Sequence, residues 1–140
     1  MKATIFASLA VLTMTTPVFA QEAGDAAKGE NEFKKCRACH MIRDDAGTDI
    51  VKGGTTGPNL YGIVGRKAGA EEGFKYSDAL IKLGEAGEVW TQEDLIGYVT
   101  DPNKFTEEKV GDPTLKTKMT FKLNRGQADV VAFLAQHGAQ

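Results

Sequence analysis

The sequence predicts one small all-α domain with long loops, and three observations lead to that class. Apolar residues recur at helical spacing near both ends of the chain, at Gly29 and Phe33 and again at Val130, Phe133 and Leu134. Long glycine-bearing stretches separate these patterns. Leu, Ile, Val and Phe make up only about a fifth of the residues after position 20, which is few for a self-sufficient core. A small domain with so few core residues needs an additional stabilising element.

Four helices are predicted from periodicity and capping signals. Thr91 begins a variant of the capping box and is expected to start one helix, which must end before Pro102. Gly84 is expected to end the preceding helix. The predicted helices cover residues 25–36, 77–83, 91–98 and 126–136. The stretches 41–75 and 102–121 are predicted to be mostly loop. Loops this long in a small domain indicate a function for them.

The first twenty residues have the features of a secretory signal peptide. Lys2 supplies a positive start, residues 3–14 form a short apolar run, and small residues lead to Ala20. The apolar run is too short to span a hydrocarbon core of roughly 30 Å. We therefore expect cleavage after Ala20, a mature domain of residues 21–140, export to the periplasm and no membrane insertion.

The charge balance excludes a general nucleic-acid binder. The formal net charge of the full chain is −2, and loss of Lys2 with the leader makes the mature chain slightly more acidic. No acid–base pair, nucleophile constellation or phosphate-binding loop is evident in the sequence. These observations give no sign of an enzyme.

The two cysteines, Cys36 and Cys39, are followed at once by His40. CxxCH is the signature for covalent attachment of a c-type haem. Positions i, i+3 and i+4 of a helical turn share a face, so both thiols can add to the vinyl groups of one porphyrin while the imidazole binds the iron. This pattern predicts one haem c attached through Cys36 and Cys39, with His40 as an iron ligand.

Other interpretations of the cysteine pair fit less well. A disulfide is the default for two cysteines in a secreted chain, and a thioredoxin-like dithiol uses the same CxxC spacing. The dithiol motif follows a strand, whereas the segment before Cys36 is helical in character. A structural zinc site would need two more ligands, and His137 is the only other histidine.

Met119 is the candidate for the second iron ligand. Of the four methionines, Met1 and Met14 leave with the leader, and Met41 adjoins His40 and cannot reach the opposite face of the ring. A thioether opposite an imidazole raises the reduction potential of the iron. From the residues alone two alternatives stay open: Met119 could fill a core gap, or His137 could be the ligand. We expect His137, near the end of the last helix, to face solvent.

Several further segments carry a family resemblance. They are Cys36-Arg37-Ala38-Cys39-His40, Thr56-Gly57-Pro58-Asn59-Leu60-Tyr61-Gly62, Gly65-Arg66, the Trp90 segment, Asp101-Pro102 and Lys118-Met119-Thr120-Phe121. In this order, and through nearly all of residues 24–138, the chain resembles the class I c-type cytochromes, most nearly the bacterial cytochrome c2 group. The resemblance implies the small cytochrome c fold, with helices and long loops wrapped around one covalently bound haem, and it implies Met119 as the ligand opposite His40.

The resemblance also implies roles for residues around the haem. The carbonyl of Pro58 would accept a hydrogen bond from His40, and Tyr98 would place its hydroxyl near the sulfur of Met119. Donors near the haem propionates would stabilise two carboxylates in a poorly hydrated wall. Those donors would be Arg66, Tyr76 and Trp90. The terminal helices would cross at Gly29, with Phe33 packed against Phe133.

With both axial positions filled, the expected chemistry is outer-sphere transfer of one electron through the haem edge. The resemblance implies a soluble, monomeric periplasmic carrier from a cytochrome bc1 complex to a photosynthetic reaction centre or a terminal oxidase. Exposed basic residues around the haem segments would form the docking ring. They are Lys34, Lys35, Arg37, Lys75, Lys109, Lys116, Lys118 and Lys122. The alternatives are a haem enzyme such as a peroxidase, which needs an open sixth position, and a thiol oxidoreductase, which needs free thiols.

Overall fold

A computed structural model describes residues 24–138 of the chain. The predicted signal peptide, residues 1–20, lies outside this range and stays a prediction. The described part contains five helices and one two-stranded hairpin, in the order α1 (Ala26–Phe33), β1 (Ile42–Arg43), β2 (Asp49–Val51), α2 (Asp78–Glu85), α3 (Gln92–Thr100), α4 (Pro102–Val110) and α5 (Gln127–Leu134). Within residues 24–138, no helix has the length and apolar character needed to cross a membrane.

The first and last helices cross closely, as predicted. A Cβ atom added at Gly29 would lie 1.9 Å from the Asp129 carbonyl oxygen, so only glycine permits this approach of the two backbones. The rings of Phe33 and Phe133 pack with centroids 5.5 Å apart. At the open end of the crossing, the backbone N–H of Asp25 donates to Asp129 Oδ1 over 2.7 Å. The N-terminal and C-terminal ends of the domain are thereby joined.

Helix α2 begins as predicted but does not end at Gly84. Ser77 caps it, with the side-chain oxygen accepting from the Leu80 N–H, and the helix continues to Glu85. Gly84 is buried inside the last turn, where a Cβ would lie 2.1 Å from the Ala68 carbonyl oxygen. The glycine is therefore explained by close packing of a loop against the helix. A glycine that ends a helix and a glycine that lets a loop pack closely against a helix look the same in the sequence. The prediction that Gly84 ends α2 is therefore wrong.

The prediction of loop over residues 102–121 is wrong in its first half. Asp101 ends α3 and also caps α4, accepting from the Lys104 N–H over 3.2 Å. Pro102 is the first residue of the new helix, a position that needs no N–H donor. Gly111 ends the helix with φ of 76°. The proline marks both the end of one helix and the start of the next, and only the first role was predicted.

The hairpin was not predicted, because strands of two and three residues leave no alternating pattern. Its turn is held by Asp44, whose N–H donates to the Thr48 carbonyl and whose side chain accepts from the Thr48 N–H. Ile42, on the inner face, is fully buried. The hairpin thus pins the long loop after the CxxCH motif to the core.

In the core, α5 packs against both α1 and α3, α4 packs against α3, and α2 packs against α4. Its largest fully buried side chains include Phe33, Leu83, Val130 and Val131. Tyr98 and Trp90 close the core on the side of a large apolar cavity. Side chains of the chain itself therefore form a shell around that cavity.

The crossing of α1 and α5 gives a direct test. Gly29→Leu should lower the free energy of unfolding by about 3 kcal/mol or more, because the new side chain must displace the α5 backbone. Thermal unfolding followed by far-ultraviolet circular dichroism measures the effect. Ala27→Leu is the matched control, since Ala27 is exposed on the same helix. Wild-type stability in Gly29→Leu would contradict the crossing.

Candidate haem site

A cavity of about 450 Å³ with predominantly apolar walls lies beside the core. Its volume falls within the range of cofactor sites in proteins. The walls contain all but one of the residues that the sequence predicted for the site. These are Cys36, Cys39, His40, Pro58, Tyr76, Trp90, Tyr98 and Met119.

The CxxCH motif forms a turn directly after α1. The helix ends at Phe33, three residues earlier than predicted, but the chain keeps helical hydrogen bonding through the motif. The His40 N–H donates to the Cys36 carbonyl over 2.9 Å, and the Cys39 N–H donates to the same oxygen over 3.1 Å. Cys36 and Cys39 form no disulfide within the described residues, and burial raises the pKa of the Cys36 thiol to about 11. The turn therefore presents both cysteine sulfurs and the imidazole of His40 to the same cavity.

His40 is oriented as a metal ligand requires. Its Nδ1 lies 2.8 Å from the Pro58 carbonyl oxygen, to which the ring N–H donates. That bond assigns the proton to Nδ1 and leaves the Nε2 lone pair available for a metal. Burial lowers the pKa of His40, which further favours the neutral ring. The backbone of Gly57 touches the ring: a Cβ added there would lie 2.4 Å from His40 Cε1.

The segment that carries Met119 has no secondary structure and is held by hydrogen bonds at several points. The Leu123 N–H donates to the Val99 carbonyl at the end of α3 over 2.8 Å. The Lys118 ammonium group donates to the Lys75 carbonyl over 2.8 Å. The Thr117 hydroxyl donates to the Met119 carbonyl over 2.9 Å. These bonds fix the backbone on both sides of the half-buried Met119.

Tyr98 lines the cavity together with Met119 but forms its hydrogen bond elsewhere. Its side chain bonds to that of Thr117, two residues before Met119. Burial raises the pKa of Tyr98 to about 12, despite the opposing effect of that bond. The phenol is therefore a neutral group at any physiological pH. The predicted proximity of its hydroxyl to the sulfur stays a prediction.

Aromatic rings form much of the wall near Tyr98. The ring centroids of Trp90 and Tyr98 are 5.0 Å apart, and Phe105 of α4 packs 5.8 Å from Trp90. Tyr76 is half-buried and stacks edge-on against Phe74 at 4.8 Å. Burial raises the pKa of Tyr76 as well. These polar-tipped aromatic side chains can line an apolar ring while offering donors at its edge.

Arg66 is the one predicted site residue that the cavity walls do not include. Its guanidinium donates to the Asn59 carbonyl over 2.7 Å and lies 3.4 Å from Glu71 Oε2. Glu71 in turn accepts from the Asn59 N–H over 3.2 Å. Arg66 thus braces the loop immediately after Pro58. Its role beside the haem propionates stays a prediction.

His137 does not face solvent, so that expectation is wrong. Its ring is half-buried against the edge of Phe133, with centroids 4.7 Å apart. Its Nε2 is buried and has no hydrogen-bond partner among residues 24–138, and burial lowers the pKa of His137. The last turn of the chain folds back on the loop at Gly62, whose N–H donates to the His137 carbonyl. His137 is not among the residues that line the cavity, whereas Met119 is.

The eight basic residues of the predicted docking ring are all exposed. Several are already engaged within the protein. Lys109 pairs with both Glu88 and Asp94, Lys122 pairs with Asp101, and Arg37 donates to the Lys52 carbonyl over 2.8 Å. The Lys118 ammonium group donates to backbone carbonyls. These contacts reduce the freedom of those charges to meet a partner.

Known proteins with similar sequences cover nearly the whole chain. Cytochrome c-550 of Paracoccus versutus is 61% identical over 139 residues, which are 98% of this chain and 90% of that protein. Cytochrome c2 of Rhodobacter capsulatus is 54% identical over 129 residues, 92% of either chain. The X-ray structure of ferric cytochrome c-550 from Paracoccus versutus superposes with a TM-score of 0.80 at 64% identity, covering 81% of this chain and 98% of that one. No family model matches the chain.

The chain belongs to the cytochrome c2 group of class I c-type cytochromes. This cytochrome has the small cytochrome c fold and carries one covalently bound haem c, with Cys36 and Cys39 in the CxxCH spacing for its attachment. It is an electron carrier and not an enzyme, so the peroxidase alternative is not favoured. The residues present fit the cofactor, because both thiols, a neutral imidazole and a thioether converge on one apolar cavity.

Three residues of the site were missed from the sequence. Gly57 was quoted only as part of a motif, although its lack of a side chain lets the backbone touch His40. Asn103 and Thr117 bond to each other beside the Met119 segment, with the Asn103 amide oxygen 2.9 Å from the Thr117 nitrogen. A helix beginning at Pro102 would have placed Asn103 at its N-terminus, but that helix was predicted as loop.

Gly57 gives a test of the packing around His40. Gly57→Ala should lower the free energy of unfolding of the haem-loaded protein by about 1–3 kcal/mol and decrease its low-spin fraction, because the added methyl group overlaps the imidazole. Denaturant titration and the optical spectrum measure the two effects. Thr55→Ala, at an exposed position in the same loop, is the control. A variant as stable as the control would contradict this packing.

Proposed function

We propose that this cytochrome is a periplasmic one-electron carrier whose haem c is attached through Cys36 and Cys39 and ligated by His40 and Met119. The observation that carries the proposal is the shared cavity, whose walls bring the CxxCH turn and the Met119 segment together. Haem c supplies a one-electron iron couple when bound. Every other part of the proposed activity depends on how the chain holds and shields that group.

The two proposed ligands favour a raised reduction potential. The Pro58 carbonyl, as acceptor from Nδ1, holds the His40 ring in one orientation and increases its donor strength. The uncharged thioether of Met119 favours the less charged, reduced iron. Because both ligands would come from the chain, no position would remain for a substrate. Electron transfer would then proceed through the exposed edge of the ring, without bond formation.

The walls support rapid transfer by excluding water. Leu95, Val130 and Leu134 line the cavity from the core side, and each is at most 5% exposed. A poorly hydrated, tightly packed site needs little rearrangement when the charge of the iron changes. The aromatic group around Trp90 adds stiffness, since its rings pack at 5.0–6.0 Å from one another.

The periplasmic location rests on the leader pattern of residues 1–20 and on the covalent attachment of haem. The proposed mature form is residues 21–140, acting as a monomer without membrane insertion. The proposed donor is a cytochrome bc1 complex, and the proposed acceptor is a photosynthetic reaction centre or a terminal oxidase. Such a carrier would serve photosynthesis or respiration according to its acceptor.

The proposed docking surface is the set of exposed basic residues around the CxxCH turn and the Met119 segment. Basic charge on one face of a net acidic protein produces a dipole that steers encounters with acidic partners. Lys75 and Lys116 are the best probes of this effect. The ion pair of Lys116 with Glu107 Oε2 is long, at 3.9 Å, and exposed, and Lys75 has no ion pair within residues 24–138.

The axial assignment predicts a specific spectroscopic change. Oxidised wild-type protein should show a weak band near the red end of the spectrum from sulfur-to-iron charge transfer, and Met119→Leu should lose it and have a lower reduction potential. His137→Asn removes the competing ligand and should keep the band. If Met119→Leu retained the band, or His137→Asn lost it, the axial assignment would be wrong.

The docking proposal predicts a dependence on ionic strength. Lys75→Glu and Lys116→Glu together should slow association with an isolated bc1 complex or reaction centre about tenfold at low salt, and the difference should shrink as salt increases. Stopped-flow kinetics measure the rates. Lys28→Glu and Lys82→Glu together, at two exposed lysines outside the docking set, are the charge-matched control. Equal slowing in the control would indicate net charge rather than a docking face.

A further inference from the structure

The backbone before Met119 is anchored by a side chain from α4. The amide oxygen of Asn103, the second residue of that helix, accepts from the Thr117 N–H over 2.9 Å. The Thr117 hydroxyl lies 3.4 Å from the same oxygen and donates to the Met119 carbonyl over 2.9 Å. The Asn103 side chain of α4 is therefore linked to the backbone of Met119, the proposed iron ligand, through Thr117 alone.

The anchor lies in a buried environment, where its loss has a large effect. Thr117 is only 6% exposed, so its N–H has little access to water as a substitute partner. The Thr117 side chain also bonds to that of Tyr98, and further anchors of the segment are at exposed lysines or beyond Met119. A buried donor deprived of its acceptor costs more than a bond lost at the surface. Release of Asn103 would thus favour movement of residues 117–119.

The helix that supplies Asn103 is itself firmly placed. Asp101 caps its first turn, Pro102 and Thr106 are buried, and the Thr106 hydroxyl donates to the Pro102 carbonyl over 2.8 Å. Lys109, in the last turn, is held by Glu88 and Asp94 and lies 5.2 Å above the ring of Phe105. Because α4 is firmly placed, the Asn103 side chain can hold residues 117–119 in position.

We propose that Asn103 is a positioning residue for Met119, acting through Thr117 to hold the thioether at the iron. This inference rests on the proposed function, since it takes Met119 as the ligand. Asn103 is not among the residues that line the cavity, and its side-chain oxygen meets Thr117 instead. Its effect is on the equilibrium between the bound thioether and a state in which an external ligand replaces it.

The experiment is a titration of the oxidised, haem-loaded protein with imidazole, which displaces a weakly held thioether. Loss of the sulfur-to-iron band reports the displacement. Asn103→Ala should bind imidazole about tenfold more tightly than wild type, as expected for one lost hydrogen bond to a buried donor. Its reduction potential should also fall. Asn103→Asp, which keeps an oxygen acceptor at the same reach, should restore an affinity close to that of wild type.

A destabilised control separates positioning from general weakening of the fold. Val131→Ala removes buried volume from α5, away from residues 117–119, and should lower the unfolding midpoint with little change in imidazole affinity. Equal tightening of imidazole binding in this control would overturn the inference. If Asn103→Ala fails to fold, Asn103→Ser replaces it, because the shorter side chain cannot reach Thr117.

The outcomes distinguish the inference from the proposed function. A wild-type spectrum without the sulfur-to-iron band overturns the axial assignment and this inference with it. A wild-type band together with unchanged imidazole affinity in Asn103→Ala overturns the inference alone. Tighter binding in Asn103→Ala, near wild-type affinity in Asn103→Asp and little change in Val131→Ala support it.

Discussion

The structure depends on one apolar cavity, which is enclosed by segments that lie far apart in the sequence, among them the CxxCH turn and the Met119 segment. The chain has too few large aliphatic residues to fill its own centre, and its side chains form a shell around that space. Apolar walls favour an apolar occupant, and burial of its surface contributes at roughly 25 cal/mol per Å². The covalent cofactor of this family therefore completes the core as well as supplying the chemistry.

That constraint explains the division between helices and loops. The crossing of α1 and α5, with Gly29 at its centre, supplies a rigid support from which the CxxCH turn continues. Loops need no internal core of their own if each is tied to this support or to the cavity. The Arg66–Glu71 pair, the hairpin and the Lys118 contact supply such ties. Most of them hold backbone carbonyls or N–H groups, which an irregular segment would otherwise leave without partners.

The sequence could predict those features that are determined by residues close together in the chain, and it could not predict those that depend on tertiary contacts. Thr91 was found as a cap because a cap acts within three residues. Cys36, Cys39 and His40 were found because attachment chemistry fixes their spacing. Gly84 was misread and α4 was missed, since a glycine or a proline has two uses that only the tertiary neighbours separate. The role of the Pro58 carbonyl came from family resemblance, whereas Met119 was first the candidate by elimination among the methionines and was then implied by that resemblance.

The same reasoning explains why Asn103 could not be predicted. Its partner lies fourteen residues away across a helix and a turn, and neither residue type is specific to a ligand-bearing site. In a protein that transfers electrons without binding a substrate, residues that touch the cofactor are fixed by chemistry and are visible as motifs. Residues that set how firmly a ligand is held act through backbone hydrogen bonds, for which many side chains are suitable. Such control is therefore expected at the supports of the Met119 segment rather than in the cavity itself, where a change of side chain would also disturb the packing around the ring.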